Sequence, residues 1–97
     1  MRRRYLITYD ISDDKRRARV FKSLRNRGDH LQFSVFLCEL NPREYALLKG
    51  QLQEFVHQRK DQVLILDLGL DDNTLEIGQG LDYVGFAYRP PQRVVVV

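Results

Sequence analysis

Asp10 follows an apolar run (Tyr5, Leu6, Ile7, Thr8, Tyr9) and stands just ahead of a helix start at Ser12 or Asp13. A carboxylate closing a buried strand is held rigidly by the sheet backbone. It is a hard oxygen ligand of the kind Mg²⁺ and Mn²⁺ prefer. A metal so held can polarise a phosphoryl oxygen and acidify an attacking water. Aspartates at strand ends also form turns and caps, so position alone leaves both roles open. Asp13 and Asp14 are better explained as complements of a helix dipole. One Asp10 per chain does not complete a metal site, whereas two copies related by a two-fold axis would.

Basic residues crowd beside this carboxylate. At about 100° per residue, Ala18, Val20, Phe21 and Leu24 share one helical arc, and Arg17 falls near its middle. Its guanidinium should reach toward the strand end, either as an ion-pair partner or against a bound phosphate. Arg16, Arg19, Lys22 and Arg27 spread over the rest of the helix and read as a surface that tracks phosphates without reading sequence. Tyr9 and Phe36 could stack on bases or pack the core. Cys38, among apolar strand residues, should be buried and inert. His30 and His57 lack ligand spacing, and no Cys-x-x-Cys, glycine-rich phosphate loop or His-Glu-x-x-His occurs.

These residues need a scaffold, and 97 residues supply one domain. Hydrophobic residues at 43% and charged residues at 30% exclude disordered, collagenous and disulfide-scaffold classes. No run is long enough to span a membrane, and residues 5–9 are too short for a secretory h-region. The single cysteine fits a reducing cytoplasm. The net charge of +3 is unevenly spread: residues 1–30 hold ten Lys or Arg against four Asp, and residues 31–97 hold six against nine acids. That basic third suggests a polyanion partner, either nucleic acid or membrane surface.

The strand over residues 4–10 leads into a helix expected to run to about Arg27, with Gly28 as its C′ residue. Residues 30–40 form either one bent strand or a pair folding back near Ser34. Asn41-Pro42-Arg43-Glu44 predicts a helix start with a capping box, and that helix should end near Arg59 or Lys60. A buried strand is expected over 62–68, a turn at Asp71-Asp72-Asn73, short strands near 75–77 and 83–88, and a last strand over 92–97. This order predicts an α+β, ferredoxin-like βαββαβ sandwich with an extra C-terminal strand. The core domain would cover 1–78 and the extension 79–97. The four terminal valines should pair with a sheet edge, their own or a second protomer's.

Three blocks carry a family resemblance: Tyr9-Asp10-Ile11-Ser12-Asp13-Asp14-Lys15-Arg16-Arg17; then Arg19-Val20, Lys22, Leu24 and Gly28; then Gln32-x-Ser34-Val35-Phe36. In this order and spacing they resemble the CRISPR-associated endonuclease family called the second CRISPR-associated protein. The resemblance covers residues 4 to about 68, with Leu75-Glu76-Ile77-Gly78 and the valine tail following. It implies a homodimer whose C-terminal strand crosses to the partner, and a Mg²⁺ or Mn²⁺ ion shared between the two Asp10 carboxylates. It also implies helix arginines at Arg17 and Arg19, and site support from Tyr9, Ser34 and Phe36. The activity implied is metal-dependent cleavage of RNA or DNA phosphodiester bonds, in spacer acquisition with the CRISPR adaptation integrase. A non-catalytic DNA-binding adaptor of that integrase is the alternative, and a toxin-type ribonuclease on the same fold is a third. Residues 79–91 are longer than the resemblance leads one to expect.

Overall fold

A computed structural model describes residues 1–70, 76–77 and 80–89 of the chain. The strand that ends at Asp10 is β1 (Arg3–Asp10), and alternation sorts its side chains: Tyr5, Ile7 and Tyr9 are buried, while Leu6 and Thr8 are half-buried on the other face. Asp13 N-caps α1 (Asp14–Arg25), its carboxylate accepting the Arg16 N–H at 2.9 Å. A hairpin follows, β2 (Gly28–Gln32) and β3 (Val35–Leu40), so residues 30–40 fold back on themselves at Phe33-Ser34.

Asn41 caps α2 (Pro42–Phe55) with both hydrogen bonds of the expected capping box. Next comes β4 (Gln62–Leu70), and two short strands, β5 (Glu76–Ile77) and β6 (Gly80–Leu81), form a separate pair. The main sheet is antiparallel in the order β2-β3-β1-β4, with β1 inside it. The two helices pack Val20, Leu24, Leu48 and Leu52 against Tyr5, Ile7, Tyr9, Phe36, Cys38 and Leu40. This is the α+β, ferredoxin-like architecture that the element order predicts. No described helix is long and apolar enough to cross a membrane.

Several boundaries differ from expectation, each for a physical reason. Helix α1 stops at Arg25 with Asn26 as its cap, and Gly28 opens β2 instead of closing the helix. A Cβ at Gly28 would lie 2.4 Å from Cys38 Sγ and 2.5 Å from the Leu37 carbonyl, so close strand approach is what needs glycine there. Helix α2 ends at Phe55 because Val56 turns extended. Asp61 then takes the His57 N–H at 2.8 Å, and a turn stands where another helical turn was expected.

Strand β4 is not buried on both faces. Val63 and Ile65 pack against the core, but Leu64 and Leu66 are 50% and 46% exposed, because both helices lie on the opposite face. The expected strand at 83–88 is irregular backbone, broken by Gly85 at φ 97°. It lies against the hairpin, where Leu31, Gln32, Val35 and Tyr83 are among the residues lining a cavity of about 430 Å³. The turn at 71–73, the domain boundary at 78 and the terminal strand at 92–97 lie outside the described residues.

Candidate functional site

The carboxyl end of β1, the loop into α1 and the hairpin turn meet at one end of the sheet. Asp10 is exposed there, paired with Gln62 across the strands, on the face that carries Leu6 and Thr8 and not the helices. One residue back, the Tyr9 N–H donates to the Ser34 carbonyl at 3.2 Å, which pins the hairpin turn against the strand end. The Tyr9 and Ser34 side chains are also hydrogen-bonded. Burial pushes the Tyr9 phenol up, and that bond and the Arg17 charge pull it partly back. Phe36 stacks under Tyr9 at 6.4 Å and under His30 at 4.6 Å, and it is completely buried. Its role is to pack the core beneath the site, and no base can reach it.

Arg17 does turn inward, as its place in the apolar arc requires, and the loop takes its charge. Nη1 donates to the Ile11 carbonyl at 3.0 Å and the Ser12 carbonyl at 3.3 Å, while Nη2 meets Asp14. Arg16, expected among the phosphate-tracking residues, is committed elsewhere: Nε and Nη2 grip both oxygens of Asp61 at 2.6 and 3.1 Å. The Asp61 side chain has no exposed surface, and its hydrogen bond from Arg16 holds its carboxyl below the usual range. Arg16 therefore ties the first turn of α1 to the entry of β4. Nothing in the sequence marks this pair, whose members are 45 positions apart.

Arg19, Lys22 and Arg27 remain together. They line a groove of about 470 Å³ between α1 and α2, with Ser23, Asn26, Gln51 and Phe55. The groove wall carries no carboxylate among the described residues, although Arg27 also borders Asp29, Glu39 and Glu44 on its other side and, after the Asn41 N–H, its charge helps hold the Glu44 carboxyl low. The arrangement suits a string of phosphates. Cys38 is buried as expected, and burial pushes its thiol up to about 11.

As a metal ligand, Asp10 has the right chemistry and too little company. Its carboxylate is hard, exposed and rigidly placed, which fits Mg²⁺ or Mn²⁺. Among the described residues, however, no three His, Cys, Asp or Glu side chains converge on a common point. A single chain therefore offers Asp10 alone, without a cluster of further ligands among the described residues. Phe33 is a feature that the sequence alone does not single out: it sits at the hairpin tip, 86% exposed. The polar pair Gln32 and Ser34 on either side of it is the one sequence signal of a turn there.

A four-stranded antiparallel sheet under two helices, with a carboxylate closing an inner strand beside a basic helix, defines a ferredoxin-like domain. The family described as CRISPR associated protein Cas2 matches residues 1–74, and the chain belongs to it. It is 38% identical over 80 residues to the CRISPR-associated endoribonuclease Cas2 2 of Thermodesulfovibrio yellowstonii, covering 82% of this chain and 88% of that one. Against the CRISPR-associated endoribonuclease Cas2 of Geobacter sulfurreducens it is 33% identical over 93 residues, covering 96% and 95%. The crystal structure of Streptococcus pyogenes Cas2 at pH 6.5 superposes with a TM-score of 0.71 at 25% identity, over 84% of this chain and 99% of that one.

Proposed function

We propose that this protein is a metal-dependent endonuclease of a CRISPR system, cleaving phosphodiester bonds as a homodimer and serving spacer acquisition with the adaptation integrase. RNA is the first substrate to test, because its relatives carry the name endoribonuclease. The observation that carries the reading is Asp10: an exposed carboxylate at the end of an inner strand, on the face of the sheet that neither described helix covers. Leu64 and Leu66 leave that same face apolar and open, which suits a second copy packing there and bringing its own Asp10 close.

In such a dimer the two Asp10 carboxylates would hold Mg²⁺ or Mn²⁺ between them. The ion, when bound, supplies charge neutralisation at the phosphoryl group and a more acidic water. The chain's own residues do the rest. Arg19, Lys22 and Arg27 hold the sugar-phosphate backbone. Tyr9 and Ser34, locked to each other, fix the end of β1 so that Asp10 keeps its direction. Arg16 and Arg17 keep the loop after Asp10 from drifting, through Asp61 and through the Ile11 and Ser12 carbonyls.

RNA cleavage assayed with and without chelator, in the parent protein and in Asp10→Ala, tests this. Chelation and the substitution should each lower the rate at least about a hundredfold while leaving RNA binding intact. Full activity in Asp10→Ala would overturn the mechanism. A second reading, a DNA-binding adaptor of the integrase, draws on the groove cations, which sit on the helix side and can bind without Asp10. On that reading Asp10→Ala leaves spacer acquisition intact, and charge reversal at Arg19, Lys22 and Arg27 abolishes it.

A further inference from the structure

The β2–β3 turn is built from unusual residues. Phe33 and Ser34 are its two connecting residues, and Ser34 has φ 63°, the left-handed region where glycine or asparagine is the usual occupant. Serine there stores strain, and such strain gathers at functional sites. At this turn Phe33 is 86% exposed, and no described aromatic ring packs on it. Beside the ring is a cleft of about 270 Å³, whose walls include Tyr9, Arg17, Ala18 and His30. Ala18, on the facing helix, is exposed and presents only a methyl group, so the slot stays open. The Tyr9–Ser34 hydrogen bonds set this cleft one residue from Asp10.

We infer that this cleft is a nucleobase subsite: Phe33 stacks on an unpaired base of a single-stranded substrate next to the bond presented to Asp10. The inference rests on the nuclease reading and makes it more specific, since a base inside a duplex cannot leave its stack to meet the ring. An exposed phenyl ring offers stacking to any base, so the subsite selects single strands over duplexes and reads no sequence. Arg17 lines the same cleft, but its guanidinium is taken by Asp14, another wall residue, and by the Ile11 and Ser12 carbonyls, so the ring and not this cation makes the contact.

The chain contains no tryptophan, so Phe33→Trp places a single fluorophore at the proposed stacking position. In an Asp10→Ala background, which prevents loss of substrate, short single-stranded RNA and DNA should both quench its emission. An abasic strand of equal length and the corresponding duplex should bind without quenching. Phe33→Ala should lose single-strand affinity on the order of tenfold, with duplex affinity unchanged and Phe33→Tyr close to the parent. Equal quenching by the abasic strand, or undiminished single-strand binding by Phe33→Ala, overturns the subsite. So does a loss of binding accompanied by a shift to monomer in sedimentation, which would assign Phe33 to a contact between chains. If none of these nucleic acids binds, the nuclease reading fails along with the subsite. If the duplex and the abasic strand bind and no quenching follows with any strand, the subsite alone fails.

Discussion

The first turn of α1 and the groove along its second half are built from the same residue type and use it in opposite ways. Arg16 and Arg17 commit their guanidinium groups to Asp61, to Asp14 and to two loop carbonyls. Arg19, Lys22 and Arg27 line a groove whose described wall holds no carboxylate, with Arg27 alone also bordering acids, Asp29, Glu39 and Glu44, on its far side. On the proposed mechanism, the committed cations would hold the loop behind Asp10 still, since a reacting carboxylate is useful only if that loop does not move. Uncommitted cations make a surface for a polyanion, because a cation that already has a partner must give it up to bind. The charge excess of residues 1–30 is therefore partly cancelled in space: Arg2, Arg3 and Arg16 pair with Glu44, Asp67 and Asp61 from the acidic remainder.

The sharpest way to break this division is to remove the groove cations together. Arg19→Ala, Lys22→Ala and Arg27→Ala in one protein should weaken nucleic-acid binding and leave thermal unfolding nearly unmoved. For duplex DNA, the slope of log affinity against log salt should flatten by about 0.9 for each phosphate that is no longer neutralised. An unchanged slope would place the phosphate track elsewhere. Gly28→Ala tests the neighbouring wall. With Cys38 Sγ and the Leu37 carbonyl in the way of a Cβ, chemical unfolding should show a destabilisation of about 1–3 kcal/mol, with the salt slope of binding preserved. Arg16→Ala is the mirror image of the groove variant. It strands the covered Asp61 carboxylate and should lower the unfolding midpoint by several degrees, again with the salt slope intact. A salt slope that fell with Arg16→Ala would return this arginine to the phosphate track.

The parts of this division that are legible in the sequence are the local ones. Asp10 at a strand end, the Asn41 capping box and the βαββαβ order follow from period and cap chemistry written in neighbouring residues. What is not legible depends on the meeting of distant segments. Arg16 and Asp61 come together only when α1 and the entry of β4 are packed, and no spacing rule links them. The unbroken apolar run Val63-Leu64-Ile65-Leu66 hides which face of β4 lacks a cover. Gly28 suits a helix terminator as well as a strand, and only Cys38 on the adjacent strand shows which use it has here. Ser34 lacks the glycine or asparagine that usually marks a tight turn, so neither the hairpin nor the exposure of Phe33 is written plainly in the chain.

Acid separates the two regions most finely. Asp61 is held below the ordinary carboxylate range first by its hydrogen bond from Arg16, and Asp13 first by the backbone N–H of the same residue. A carboxyl that is more acidic in the folded chain binds fewer protons there than in the unfolded chain. Its stabilising contribution is complete above the unfolded value of about 4 and is lost as pH falls through the folded value. The unfolding midpoint should thus hold steady down to about pH 5 and fall progressively below about pH 4. In Asp61→Asn that fall should be shallower and start from a lower midpoint. The described wall of the groove holds neither a carboxylate nor a histidine, so affinity for duplex, which does not use the Phe33 cleft, should stay flat from about pH 5 to 8, where Lys, Arg and phosphate all keep their charge. Affinity measured by anisotropy beside thermal melts at each pH checks both halves. An acid-side fall of affinity that begins while the fold is still intact would mean that a carboxyl of the committed region also takes part in binding.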